Sequence, residues 1–141
     1  MLMEADAALL IGDDALRARY KNQDRLFIYD LGQEWKKFTG LPMVFAVWAI
    51  RREFAQNRRE ELKIIRDTFT DSIKFRLENI EHCAAKASKW EDFTADYLVD
   101  YFNSLRFDFD RGKQEGLLQY YKEAKNQGLI GEVPPMEIMD L

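Results

Sequence analysis

The stretch Leu41-Pro42-Met43-Val44-Phe45-Ala46-Val47-Trp48-Ala49-Ile50 constrains this chain more than any other feature. It does not alternate apolar and polar residues, so both of its faces want cover. Such a run suits a central strand sandwiched between helices. A short buried helix is the competing form, but Pro42 and the β-branched and aromatic content favour a strand over Met43 to Ile50. The run is too short to cross a bilayer as a helix. A central strand needs neighbours, and the chain offers few. Ala8 to Ile11 reads as a buried strand ended by Gly12, and Leu26 to Tyr29 reads as a second strand. The sheet is therefore expected to be unfinished, and completed by another copy or by a larger domain.

Helical patterns fill the rest. Asp13 or Asp14 can cap a short helix through about Arg19. Gln33 to Phe38 reads as another, closed by Thr39-Gly40, because glycine suits the left-handed position past a helix end. After Arg51 the spacing becomes three and four. Leu62, Ile65, Phe69, Ile73, Leu77, Ile80, Ala84 and Ala87 form one apolar stripe on a helix over Asn57 to Ser88. Trp90 to Tyr101 gives a further helix, and Asp110 caps a last one through about Asn126, with Gly128 ending it. We expect 1–50 to hold the strands, 51–130 to be helical, and 131–141 to be an acidic tail.

Composition removes most chemistry. The 141 residues carry 21 Lys and Arg against 25 Asp and Glu, a net charge of −4. That balance argues against a nucleic-acid or anionic-membrane binder. A single Cys excludes an internal disulfide and a multi-cysteine zinc site, and a single His excludes a two-histidine site within one chain. Met1 to Ala8 carries Glu4 and Asp6 and no basic region, unlike a secretory signal. A cytoplasmic location is the expectation.

The candidate motifs each have a plain structural reading. His82 and Cys83 are adjacent, so on a helix they point about 100° apart and cannot act as a nucleophile–base pair. Asp13-Asp14 fits a helix start, where negative charge meets the dipole, better than two acids on one reacting atom. Asp108-Phe109-Asp110-Arg111-Gly112 opens like a calcium loop. The fifth, sixth and twelfth positions are Gly112, Lys113 and Gln119, so the ligand pattern fails. Gly112-Lys113 lacks the upstream glycine of a phosphate loop, since Phe107 stands there. Arg51, Arg52, Arg58, Arg59, Lys63 and Arg66 are interrupted by Glu53, Glu60 and Glu61. They read as a solvated helix face with local ion pairs, or else as an anion or partner site.

Several stretches together resemble one family. They are Ala8-Leu9-Leu10-Ile11-Gly12-Asp13-Asp14-Ala15-Leu16, Tyr29-Asp30-Leu31-Gly32-Gln33-Glu34-Trp35, and Thr39-Gly40-Leu41-Pro42-Met43-Val44-Phe45-Ala46-Val47-Trp48-Ala49. Tyr101-Phe102, Leu105-Arg106-Phe107-Asp108-Phe109 and Glu115-Gly116-Leu117 add to them. In this order they are similar to chorismate dehydratases of the futalosine route to menaquinone. The resemblance implies an α/β fold: the C-terminal half of a two-lobed, type II periplasmic-binding-protein-like architecture, with few strands and then a helix-rich segment. Such a half would be incomplete, or completed by oligomerisation.

The implied reaction is loss of water from chorismate to give 3-[(1-carboxyvinyl)oxy]benzoate, driven by aromatisation of the ring. It implies no cofactor and no metal. The resemblance places the catalytic polar groups in an N-terminal half outside this chain, so no catalytic residue is assigned. It implies substrate contact at Gly12 and Asp13, after a strand and before a helix, and at Met43 and Phe45 on the crossing strand. Packing and capping are the competing roles for all four. As a fragment the chain would be inactive alone, with chorismate as ligand of the whole enzyme and homodimerisation through exposed core surface. The alternatives are a fragment of the related 1,4-dihydroxy-6-naphthoate synthase, a solute-binding protein, or a non-catalytic helical dimerisation module.

Overall fold

A computed structural model describes residues 5–22 and 26–139. Its elements in chain order are α1 (Gly12–Lys21), α2 (Leu31–Thr39), α3 (Arg52–Asn57), α4 (Arg59–Glu78), α5 (Ile80–Ala87), α6 (Ala95–Ser104) and α7 (Arg111–Asn126). The expected α/β architecture, and with it the two-lobed periplasmic-binding-protein-like half, is overturned. Among the described residues every regular element is a helix and none is a strand. Ala8–Ile11, Leu26–Tyr29 and Met43–Ile50 stay out of helix, as their composition requires, but no two of them pair. Apolar, β-branched composition disfavours helix locally, whereas a strand exists only through ladder hydrogen bonds to a neighbour. That second condition is not met.

The helix ends follow local chemistry where the right side chain is present. Asp30 caps α2 by accepting from the Gly32 and Gln33 amides at 3.0 and 3.2 Å. Gly40 closes that helix at φ 75° and donates to Lys36 O, a backbone angle that side-chain-bearing residues rarely adopt. Thr94 caps α6 through the Tyr97 amide, and Asp110 caps α7 through the Lys113 amide. Trp90 to Phe93, expected to be helical, form turns and bends ahead of that Thr94 cap. The long helix expected over Asn57 to Ser88 is broken. Asn79, at φ −132° and ψ 38°, separates α4 from α5, although the apolar spacing continues through the break.

The chain forms two compact units. The first comprises 1–28 and 79–105. Its core is Ala84, Phe93 and Leu98, with Leu16, Tyr20, Tyr97 and Phe102 packed around them. Tyr20 meets Phe93 edge-on at 5.6 Å and Tyr97 at 4.6 Å, separations at which aromatic pairs attract beyond simple burial. Arg17 reaches Glu91 at 2.6 Å, which fastens α1 to the α5–α6 connection.

The second unit comprises 29–78 and 106–141. Leu62 on α4 and Leu117 on α7 are its buried apolar residues. Trp35 of α2 packs edge-on against Tyr120 of α7 at 5.5 Å. Trp48 stacks on Phe69 of α4 at 4.5 Å. After α7 the tail returns, and Glu137 takes both guanidinium nitrogens of Arg52 at the start of α3.

Candidate functional site

The segment Leu41–Ile50 is held in the second unit by two glycines. Gly116 of α7 lies so close to Pro42 that an added Cβ would overlap the Pro42 carbonyl oxygen and sit 3.3 Å from its carbon. Gly32, in the first turn of α2, lies under the ring of Phe45, whose Cζ would be 2.7 Å from an added Cβ. Gly116 requires a residue without a side chain, because backbone already occupies the space, whereas at Gly32 a side chain would have to push the Phe45 ring aside. Pro42 is thereby seated on α7 and Phe45 on α2. Beyond these anchors the segment runs at the surface. Phe45 is 78% exposed and Trp48 81% exposed.

Three of the stretches that carry the family resemblance therefore meet. Asp30 and Gly32 come from the second, Pro42, Met43 and Phe45 from the third, and Gly116 from the last. Asp30 orients the first turn of α2, Gly32 admits the Phe45 ring, and Gly116 admits the Pro42 carbonyl. Met43, between the two anchors, is half-buried. The indole N–H of Trp35 is buried beside Tyr120 without a hydrogen-bond acceptor. This arrangement supplies an apolar contact surface.

The four residues expected to touch substrate fall in different units. Met43 and Phe45 belong to the cluster just described. Gly12 and Asp13 belong to the first unit, in the opening turn of α1, with Gly12 at φ 64°. Neither Asp13 nor Asp14 caps that helix. Its N-cap is Ile11, two or three residues ahead of the expected Asp13 or Asp14, and Ile11 has no side-chain bond to offer. Asp14 instead pairs with Arg17 at 3.2 Å. Gly32 and Gly116 are the positions that sequence reasoning missed as anchors of the segment. Their signal was a glycine inside a helical pattern, which marks close approach without naming the partner.

The other motifs have resolved roles. Lys113 donates to Asp108 at 2.5 Å and Asp110 at 3.0 Å, so the acids of the calcium-like run are engaged by a lysine. The Lys113 amide, then its ammonium, hold the Asp110 carboxyl below its ordinary value. Asp108 first, then Asp110, raise the Lys113 ammonium above its own. The basic cluster is a solvated face with local ion pairs, Arg58 to Glu61 at 2.7 Å and Lys63 to Glu60 at 2.8 Å among them. Arg58 keeps the Glu61 carboxyl below its usual range.

Two shallow hollows lie elsewhere. One, of about 280 Å³, is lined by His82, Ala85, Lys86 and Lys89, and the other, of about 330 Å³, by Arg51, Glu53, Phe54, Asn57 and Arg58. Neither includes any of the four candidate residues. Among the described residues no three His, Cys, Asp or Glu side chains are grouped to hold a metal, and no helix is long and apolar enough to cross a membrane. A family model described as menaquinone biosynthesis matches residues 1–126, from the N-terminus to the end of α7.

Proposed function

The chain belongs to the menaquinone biosynthesis family and has its role in that pathway, and from that premise we propose that it is part of a chorismate dehydratase. The observation that carries this reading is the convergence of Asp30, Gly32, Pro42, Phe45 and Gly116. The resemblance picks these residues from three separate stretches, and close packing brings them to one place. Gly12, Asp13, Met43 and Phe45 are the proposed substrate contacts.

Dehydration of chorismate asks little of a binding surface beyond position. The substrate carries two carboxylates, and losing the ring hydroxyl with a ring proton makes the ring aromatic. A protein accelerates such a step by holding the ring, excluding water, and setting proton-transfer groups at the leaving atoms. In this proposal Met43 and Phe45 give the ring a wall. The proton-transfer groups are supplied by protein outside these 141 residues, and the chain alone turns over no chorismate.

A bacterial strain that makes menaquinone by this route and lacks chorismate dehydratase tests the reading. Coexpression of the chain with the N-terminal half of a chorismate dehydratase should restore growth without added menaquinone. The chain alone should not. Rescue by the chain alone would place the proton-transfer groups inside it. Failure of the pair to rescue, while 3-[(1-carboxyvinyl)oxy]benzoate in the medium does, would overturn the assignment to this step.

A further inference from the structure

Four helices of this chain settle their charges locally. Asp14 pairs with Arg17 on α1 at 3.2 Å, and Glu34 with Lys37 on α2 at 2.7 Å. Glu60 pairs with Lys63 on α4 at 2.8 Å, and Glu115 with Arg111 on α7 at 3.0 Å. The partners are three or four residues apart, the spacing at which side chains on a helix meet. On α5 the pattern is different. His82, Lys86 and Lys89 stand at the same spacings, and all three are basic. With Ala85 they line the hollow of about 280 Å³, and no acidic side chain lines it. Among the described residues, none of these three side chains makes a hydrogen bond or ion pair.

The local fold turns this row outward. At 100° per residue the four lining residues span about 100° of the helix. Ala84, on the opposite side of α5, is fully buried in the core of the first unit. Lys89 lies past the last helical residue, but its amide donates to Lys86 O at 3.3 Å and continues the turn. Helix stability does not account for the row, since like charges at these spacings weaken a helix. The dipole favours Lys86 in the last turn of α5, but it opposes a cation at His82, in the first.

We propose that this hollow is an anion site whose ligand is a small phosphate monoester. Convergent positive charge with no acid in the lining selects an anion. Lysine ammonium groups are compact point charges that suit a tetrahedral phosphoryl group. Planar carboxylates are matched by the arginine fork, and the lining holds no arginine. Ala85 and the methylene stems of the two lysines offer the rest of the ester an apolar floor. The volume lies close to the lower end of the range for small-molecule sites. The site rests on α5 and the turn after it, and does not depend on the role proposed for Met43 and Phe45.

Nuclear magnetic resonance of the whole chain tests this. His82 is the only histidine in the sequence, so its ring resonances identify themselves. Phenyl phosphate is titrated in at fixed neutral pH and constant ionic strength. The ring resonances should shift and saturate in the low millimolar range or below. Lys86→Gln and Lys89→Gln should each weaken binding about five-fold, the upper worth of an exposed charge contact. Lys122→Gln removes the same charge from an exposed position on α7, and should leave binding unchanged. An unchanged far-UV circular dichroism spectrum verifies that each variant keeps its helices. Isophthalate, a planar dianion, should bind more weakly than phenyl phosphate. A titration without saturation would overturn the proposal, as would Lys122→Gln weakening binding as much as Lys86→Gln. Isophthalate binding as tightly as phenyl phosphate would overturn the phosphate assignment.

Discussion

Replacing Gly116 with Ala should destabilise the second unit, against the ordinary preference of helices. In a helix interior Ala is favoured over Gly by about 1 kcal/mol. At Gly116 the new Cβ would overlap the Pro42 carbonyl oxygen and press its carbon at 3.3 Å. The obstacle is backbone, pinned by a proline ring, and cannot rotate away. Overpacking by one methyl costs about 1–3 kcal/mol, more where the neighbour is stiff. The clash here belongs at the upper end, so the net loss is about 1–2 kcal/mol after the helix gain. Two companions calibrate it. At Gly112 of the same helix a Cβ meets only Asp110 Oδ1, at 3.4 Å, so Gly112→Ala should gain stability. At Gly32 the obstacle is the far end of the exposed Phe45 ring, 2.7 Å away, which can swing aside. Gly32→Ala should cost less than Gly116→Ala. Urea unfolding followed by circular dichroism gives all three. A Gly116→Ala variant as stable as the wild type would refute the claim that α7 seats Pro42.

Three further outcomes follow from the same contacts. Asp110 has a carboxyl pKa below its ordinary value of 3.8, first through the Lys113 amide. Its contribution is complete above that value and is lost as pH falls through the lowered one. The melting temperature should therefore fall with acid below about pH 4, and Asp110→Asn should flatten that part of the profile. Asp30→Ala removes the acceptor for the Gly32 and Gln33 amides and should cost about 1 kcal/mol in urea unfolding. Glu137→Gln, or a pH well below the ordinary carboxyl value of 4.5, should weaken the hold of Arg52 on the tail, since Arg52 keeps the Glu137 carboxyl below that value. Faster hydrogen exchange around 133–139, with α7 unchanged, is the expected readout.

What was legible in the sequence was local. Asp110 and Gly128 bracket α7, and Thr39-Gly40 closes α2, because caps and left-handed turns are decided by neighbouring residues. Met43 and Phe45 entered the candidate site through the family resemblance. The run Met43–Ile50 was legible as apolar and non-helical, but not as unpaired. Its pairing was not legible, since a ladder needs a partner that no single stretch encodes. The break at Asn79 was hidden for a related reason. Leu77, Ile80 and Ala84 keep helical spacing across it, so periodicity reads straight through. Gly32 and Gly116 were visible as glycines in helical patterns, but only the packed chain identifies Phe45 and Pro42 as what they admit. Gly12 and Asp13 read as a strand-to-helix turn, and nothing local says that they belong to a different unit from Phe45.

The central claim is that these residues give chorismate a binding wall and leave proton transfer to groups elsewhere in the enzyme. Turnover of purified chain measures it directly. Chorismate is incubated with the chain, with the N-terminal half of a chorismate dehydratase, and with both, and 3-[(1-carboxyvinyl)oxy]benzoate is quantified by chromatography. The account predicts product only when both parts are present, with Phe45→Ala raising KM more than it lowers kcat. Product from the chain alone would contradict it.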